Sequence, residues 1–351
     1  MTLDETLLWL CSVASPIGEE RALCDAVAER LSRVKLSGPV RRYGDSIVVP
    51  WVRAGGRPHV VLAGHLDTVR TENGPARIEG DRCFGAGSSD MKSGLAIMMT
   101  LAESFDASAC AFDVSLVFYA REEGPFLENE LGVVLERDEE LRRANFVVCL
   151  EPSDNRLQLG CMGSIHATVT FEGKTAHSAR PWEGESAVTK AAAFIAEVGA
   201  LRPEEHVIEA MTFRSVVSIT QARDGGRGRN VVPDRFVLNV NHRFAPDTSL
   251  EQAKQRVVDL VAGRAAIDFT DLSPAAMPHR HHPLVERLVG CGVVTVERKQ
   301  AWTDVARFAA LGIPAVNLGP GENAQAHQKN ESTSLRLVRE GYDIFRRFLT
   351  H

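Results

Sequence analysis

The chain is 351 residues long, with 44% hydrophobic and 25% charged residues and a formal net charge of −6. That length implies about two domains. The acidity, without any long basic run, argues against nucleic acid as the main partner. No stretch approaches the roughly 18 consecutive apolar residues of a membrane span. Seven cysteines are scattered without a CxxC pair, so reduced thiols in a cytoplasmic setting are expected, and no thiolate zinc site.

In chain order, the opening stretch MTLDETLLWLCSVASP carries early acids and no basic leader. It reads as an amphipathic helix over 3–13, not a signal peptide. A second helix is expected over 19–31, after the break SPIGEE, and a strand over 41–51. Val60 to Val69, VVLAGHLDTV, is an apolar run that ends abruptly in His65 and Asp67. It reads as a buried strand delivering polar groups to a sheet edge. Residues 71–87 read as a polar, Gly-rich loop. Asp90 then opens an apolar helix, where an acid serves either as an N-cap or as a ligand. Two further apolar strands, over 114–120 and 145–150, run into Glu122-Glu123 and Glu151. Ligands in open α/β sheets gather beyond the carboxyl ends of strands. Three buried strands ending in His/Asp, Glu-Glu and Glu therefore mark one candidate site.

From Ile165 the pattern changes. Ile165, Ala167, Val169 and Phe171 alternate with His166, Thr168 and Thr170, the mark of a half-exposed strand. A helix over 186–201, strands over 213–222 and 235–244, a helix over 249–263 and a strand over 266–272 complete a β-α-β-β-α-β order, ferredoxin-like in arrangement. Thr248 and Glu251 are expected to form a capping box for the second of these helices. The expected organisation is a catalytic domain in two parts, 1–163 and 275–351, with 164–274 inserted. The solvent-facing side and open edge of the inserted sheet invite pairing with another chain. Helices over 283–291 and 302–311, a strand over 315–318, the loop GPGENAQAHQKNE and a helix over 331–349 complete the chain. His279, His281 and His282 lie in the connection and read as exposed hinge residues.

His65, Asp90, Glu122, Glu123, Glu151 and His327 are oxygen and imidazole donors, which suit zinc, manganese or cobalt. They exceed the three protein ligands and a water typical of one catalytic zinc. A two-metal site with a bridging carboxylate fits better. One of the adjacent glutamates would ligate while the other takes a proton from water. Ser88-Ser89 lacks a nucleophile elbow, and no cysteine lies in a catalytic motif.

The motifs GHLDTV, GAGSSDMKSGLAIM, REEG, EP after an apolar strand, TAHSARPW, GRNVVP and AHQKNE resemble, in order, those of the two-domain di-zinc aminopeptidase/deacylase family. That family includes desuccinylases, acetylornithine deacetylases, aminoacylases and glutamate carboxypeptidases. The resemblance implies an α/β, phosphorylase/hydrolase-like zinc exopeptidase catalytic domain with an inserted ferredoxin-like dimerisation and lid domain. It implies two Zn2+ per subunit, with Co2+ or Mn2+ as alternatives in one site. His65 and Glu151 would hold one ion, Glu123 and His327 the other, and Asp90 would bridge. Asp67 would orient His65, and Glu122 would be the general base. His177 would serve the partner subunit's site and hold an oxyanion. Arg243 would grip a substrate carboxylate, with Asn230, Arg180 and Thr303 as further substrate contacts. Read alone, His177 is an exposed turn residue and Arg243 a solvated or ion-paired strand-end group. The stretches GCMGSIHATVTFEGKTAHSARPW, NVVPDRFVLNVNHRFAPD, DLSPAA and KQAWTDVARFAALGIPAVNLGPG point to the desuccinylase branch. The implied activity is hydrolysis of the acyl amide of a small N-acyl amino acid by a homodimer with no nucleic-acid or membrane partner. Another deacylase or a dipeptidase of the family is the alternative.

Overall fold

The run His59–His65 is a strand buried at every residue, as are Ser46–Val52, Asp113–Tyr119 and Phe146–Cys149. Continuous Val, Leu and Phe make them the centre of an α/β fold with a mixed sheet. The computed structural model describes residues 1–225 and 228–350. Gly226 and Arg227, within the loop expected between two strands, lie outside the described residues.

The first elements are α1 (Leu3–Ser12), α2 (Arg21–Leu31), β1 (Arg41–Tyr43), β2 (Ser46–Val52), β3 (His59–His65), β4 (Arg77–Glu79), β5 (Arg82–Phe84) and α3 (Lys92–Ser104). Then come β6 (Asp113–Tyr119), α4 (Glu130–Arg137), β7 (Phe146–Cys149), β8 (Leu157–Leu159), β9 (Gly163–Glu172), α5 (Ala187–Ala200), β10 (Glu204–Ile208), β11 (Met211–Asp224) and β12 (Arg235–Phe244). The last are α6 (Leu250–Val261), β13 (Ala266–Ser273), α7 (Pro283–Gly290), β14 (Val296–Arg298), α8 (Val305–Ala310), β15 (Ala315–Asn317), β16 (Ser332–Ser334) and α9 (Leu335–Leu349).

Two compact units divide the chain. One comprises Met1–Gly160, Pro278–Lys299 and Thr303–His351, the other Cys161–Met277 and Gln300–Trp302. In the first, the large sheet runs β1-β2-β6-β3-β7-β15-β8-β14. β3 is parallel to both β6 and β7, with His65 beside Tyr119 and Ala63 beside Cys149. The carboxyl ends of these three strands therefore share one edge. Helix α3, buried from Lys92 to Ala102, packs against β3. Gly64 permits that approach: a Cβ there would come within 2.5 Å of Met91 Cε and 2.6 Å of Leu95 Cδ2. A second, small sheet has the order β16-β5-β4.

The second unit carries the antiparallel sheet β10-β11-β12-β9-β13. Ile165, Ala167, Val169 and Phe171 of β9 are buried, alternating with partly exposed His166, Thr168 and Thr170. Ala187, Ala191, Phe194 and Val198 of α5 and Ala253 and Val257 of α6 close the core over them.

Several elements depart from expectation. Residues 41–51 form a hairpin, turning at Gly44-Asp45, instead of one strand. The supposed loop 71–87 contains β4 and β5, whose charged residues and three-residue length hid them. The capping box of α6 lies one residue later, at Ser249 and Gln252. The last helix starts at Leu335, capped by Ser334, because 332–334 pair with β5. His282 is no exposed hinge: it N-caps α7 and stacks on Phe146 at 5.1 Å. Among the described residues, no helix is long and apolar enough to cross a membrane.

Candidate metal centre

His65 closes β3, and Asp90 reaches it from the loop before α3. That loop turns at Gly87, whose φ is +75° and where a Cβ would meet Thr68 Cγ2 at 2.6 Å. Lys92 N donates to Gly87 O at 2.7 Å. Met91, not Asp90, occupies the N-cap position, and no side chain caps the helix. The cap reading of Asp90 is thereby excluded. Its carboxylate instead meets two imidazoles: Oδ1 lies 3.2 Å from His65 Nε2 and Oδ2 lies 3.5 Å from His327 Nε2. His327 Nε2 is also 2.9 Å from Glu123 Oε1.

Two donor groups follow. Ligand atoms of His65, Asp90 and Glu151 lie within 4.8 Å of one another, as do those of Asp90, Glu123 and His327. Asp90 is common to both. His65, Glu122 and Glu123 form a third such combination. His65 Nδ1 faces the Asp67 backbone carbonyl at 3.0 Å, with the Asp67 carboxylate 3.6 Å away. That carboxylate accepts the backbone N–H groups of Glu122 at 3.0 Å and Glu123 at 2.9 Å. Asp67 therefore holds both the imidazole and the turn bearing the two glutamates.

The electrostatics suit dications. Burial, then the charges of neighbouring acids, raise Glu122 well above the ordinary carboxylate range. Burial raises Glu151 to about 8, and its Oε1 is buried with no hydrogen-bond partner. Hydrogen bonds to Asp90 and Glu123 raise His327 to about 10. Burial opposes protonation of His65, but Asp90 and the nearby acids outweigh it and raise that imidazole too. For Asp90, burial is outweighed by the two imidazoles, which hold it below its usual range. Protons on these imidazoles would stand in the role of metal ions, and metal binding would displace them. A buried carboxylate oxygen without a donor, beside carboxylates and imidazoles at ligand spacing, fits a metal pair.

The remaining candidates fall on other elements. His177, Arg180 and Asn230 cluster in the second unit: Ser178 N donates to Asn230 O, and Arg180 N to His177 O. All three are exposed, and Arg180 pairs with Glu183 at 3.2 Å. His177 Nδ1 accepts from Ala179 N at 3.0 Å, so the proton of the neutral ring sits on Nε2. Arg243 lies on β12, where its Nε donates to Asn241 Oδ1 at 3.1 Å. Thr303 is buried in the first unit, just before α8.

Two acids escaped sequence reasoning. Glu331, the last residue of AHQKNE, is buried and accepts three backbone N–H groups from the Asp90 loop. Burial raises it to about 7 against those donors. Glu20, in SPIGEE, is buried beside Asp67 and the backbone of Arg121. An acid inside a polar motif was the one available signal for each.

Residues 61–351 match the model of Peptidase family M20/M25/M40. A putative succinyl-diaminopimelate desuccinylase, DapE, of Mycobacterium tuberculosis is 35% identical over 343 residues, covering 97% of this chain and 96% of that protein. A tripeptidase from Staphylococcus aureus superposes with a TM-score of 0.80 at 19% identity, covering 99% and 96% of the two chains. A Bacillus subtilis protein described as a dinuclear metal-binding peptidase of the M20 family superposes with a TM-score of 0.71 at 12% identity, covering 99% and 96%. With the family pattern matched over most of its length, the chain belongs to the M20/M25/M40 peptidase family.

Proposed function

We propose that this metal-dependent amidohydrolase cleaves N-succinyl-LL-2,6-diaminopimelate to succinate and LL-2,6-diaminopimelate, toward lysine and peptidoglycan precursors, in the cytoplasm. The observation that carries it is Asp90 shared between two donor groups in a chain so similar to a DapE desuccinylase. His65 and Glu151 would hold one Zn2+, Glu123 and His327 the other, and Asp90 would bridge. Such ions would polarise an amide carbonyl and acidify water. Glu122 takes the proton of the attacking water and passes it to the leaving amine as the amide C–N bond breaks. Asp67 holds the backbone of that turn, so Glu122 and Glu123 keep separate tasks.

The unit around β9–β13 is read as a ferredoxin-like lid and dimerisation domain over 164–274, inserted between 1–163 and 275–351. In the homodimer, His177 would donate from Nε2 to the oxyanion in the partner's site. Arg243, Asn230, Arg180 and Thr303 would contact the substrate. Release of amine from N-succinyl, N-acetyl and dipeptide substrates tests the substrate. A clear preference for N-acetyl amino acids or dipeptides refutes the desuccinylase reading. Subunit mixing tests the dimer. Glu122→Gln and His177→Ala homodimers should each be nearly inactive, and exchange at 1:1 should restore about a quarter of wild-type activity, since half the dimers are mixed and each holds one intact site. No recovery after demonstrated exchange removes His177 from the partner's site.

A further inference from the structure

Glu331 stands immediately before β16, which pairs with β5. Gly85 N donates to Glu331 O at 3.1 Å, so the ladder continues past both strands. The Glu331 side chain turns inward and is 2% exposed. Its Oε2 accepts from Gly87 N at 2.8 Å, and its Oε1 from Ser89 N and Asp90 N, each at 2.8 Å. Its own N–H donates to Asn73 Oδ1 at 2.8 Å. The backbone of Asp90 therefore hangs on a carboxylate four residues beyond His327. Three donors on two oxygens need both oxygens as acceptors, which an ionised carboxylate supplies and an amide does not. Lys92, itself buried, lies close enough to act on Glu331 through its charge.

We propose that Glu331 is a positioning residue that sets the spacing of Asp90 and His327, and thereby the affinity of the ion held by Asp90, Glu123 and His327. The inference rests on the two-ion reading above. The staple joins the segments carrying two of that ion's three ligands. The other group shares Asp90 but draws its other two ligands, His65 and Glu151, from the ends of β3 and β7, so the staple bears on one of its three ligands and not on two. Loss of the staple therefore weakens the two ions unequally. In Glu331→Gln, the amide NH2 faces at least one backbone N–H. In Glu331→Asp, the charge remains but the reach shortens by about 1.5 Å, one carbon–carbon bond.

The test titrates metal-free full-length protein with Zn2+ against a competing chelator, and with Co2+ followed by visible absorption. Wild type should take two ions. Glu331→Gln should keep the first ion and bind the second about 10–100-fold more weakly, as when groups behind metal ligands are altered elsewhere. The Co2+ bands of the second equivalent should change, while those of the first persist. Glu331→Asp should show the same inequality, and serves if Glu331→Gln does not fold. Second-ion affinity within about twofold of wild type, or equal weakening of both ions with a lower melting temperature of the metal-free protein, overturns the proposal in favour of a merely structural buttress. Fewer than two ions in wild type overturns the two-ion reading instead, and the inference with it.

Discussion

The two ends of the parallel strands β3, β6 and β7 bury acids in opposite ways. At the amino ends the buried acids meet donors. Asp113 accepts Ala54 N at 2.7 Å and Gly55 N at 3.3 Å. Arg41 pairs with Asp138 at 2.8 Å and Glu140 at 2.9 Å, and Arg53 also reaches Glu140. Asp138 takes further hydrogen bonds from Tyr43 Oη and from the N–H groups of Glu140 and Leu141, each at 3.1 Å. At the carboxyl ends, Glu122 and Glu151 are pushed toward protonation, and Glu151 Oε1 has no donor. Burial alone does not distinguish a structural acid from a functional one. A buried acid left without a donor, as Glu151 is, points to a partner from outside the chain.

The largest effect that could break this contrast is kinetic. Glu122→Gln should retain its metal ions and lose about 10²–10⁴-fold in kcat, the usual contribution of an acid–base group. Metal analysis and amine-release kinetics on one preparation check it. Retention of more than about a tenth of wild-type turnover would show that Glu122 is not the base.

Next in size is a pair of amide substitutions in metal-free protein. Asp138→Asn, at the answered end, should cost about 3–5 kcal/mol, because the amide NH2 must face either Arg41 and Tyr43 Oη or the N–H groups of Glu140 and Leu141, all of which the carboxylate accepted. Glu151→Gln, at the other end, should be neutral or stabilising, since it removes an acid whose ionised form burial disfavours. Adding Zn2+ should reverse the second sign: wild type gains stability by binding, and the variant gains less. Urea unfolding with chelator and then with zinc measures both. Equal destabilisation by the two substitutions without metal would make the two ends alike.

Much of the carboxyl-end site was legible because its acids follow apolar runs. His65, Glu122-Glu123 and Glu151 each announce themselves where burial stops. Asp90 was ambiguous, since an acid before a helix is so often a cap, and only the observed cap position at Met91 resolves it. Glu331 was not legible. Its partners are backbone amides of Gly87, Ser89 and Asp90, more than 240 positions away, and a backbone amide leaves no mark in a sequence. The same holds for the pairing of β16 with β5, which is long-range; β4 and β5 form a local hairpin, but three residues each carry no period. Strands β8 and β14, three residues each, were missed for the same reason, and helix α4 and strand β10 were missed as well. In β10, EEHVI, the exposed edge position removed the apolar alternation that betrayed β9.

The smallest effect belongs to the amino end and concerns pH. His59 opens β3, 7% exposed, with its Nε2 3.0 Å from Ser115 Oγ and 3.3 Å from the Arg53 guanidinium. Burial, and then the Arg53 charge, lower its pKa to about 4. The unfolded chain titrates near the ordinary 6.5 or so. Between these values the unfolded state binds more protons than the native state, so stability rises with pH. The contribution is fully present above about pH 6.5 and is lost as pH falls through 4; at full loss it is on the order of 3 kcal/mol. His59→Gln can still accept from Arg53 but cannot titrate. Carboxylates also protonate in this window, so the quantity to measure is the difference between wild type and variant from urea melts at each pH. That difference should favour wild type least at pH 4 and grow to a plateau above about pH 6.5. A flat difference would mean that His59 protonates as readily in the fold as outside it, and that this end of the sheet tolerates an added charge after all.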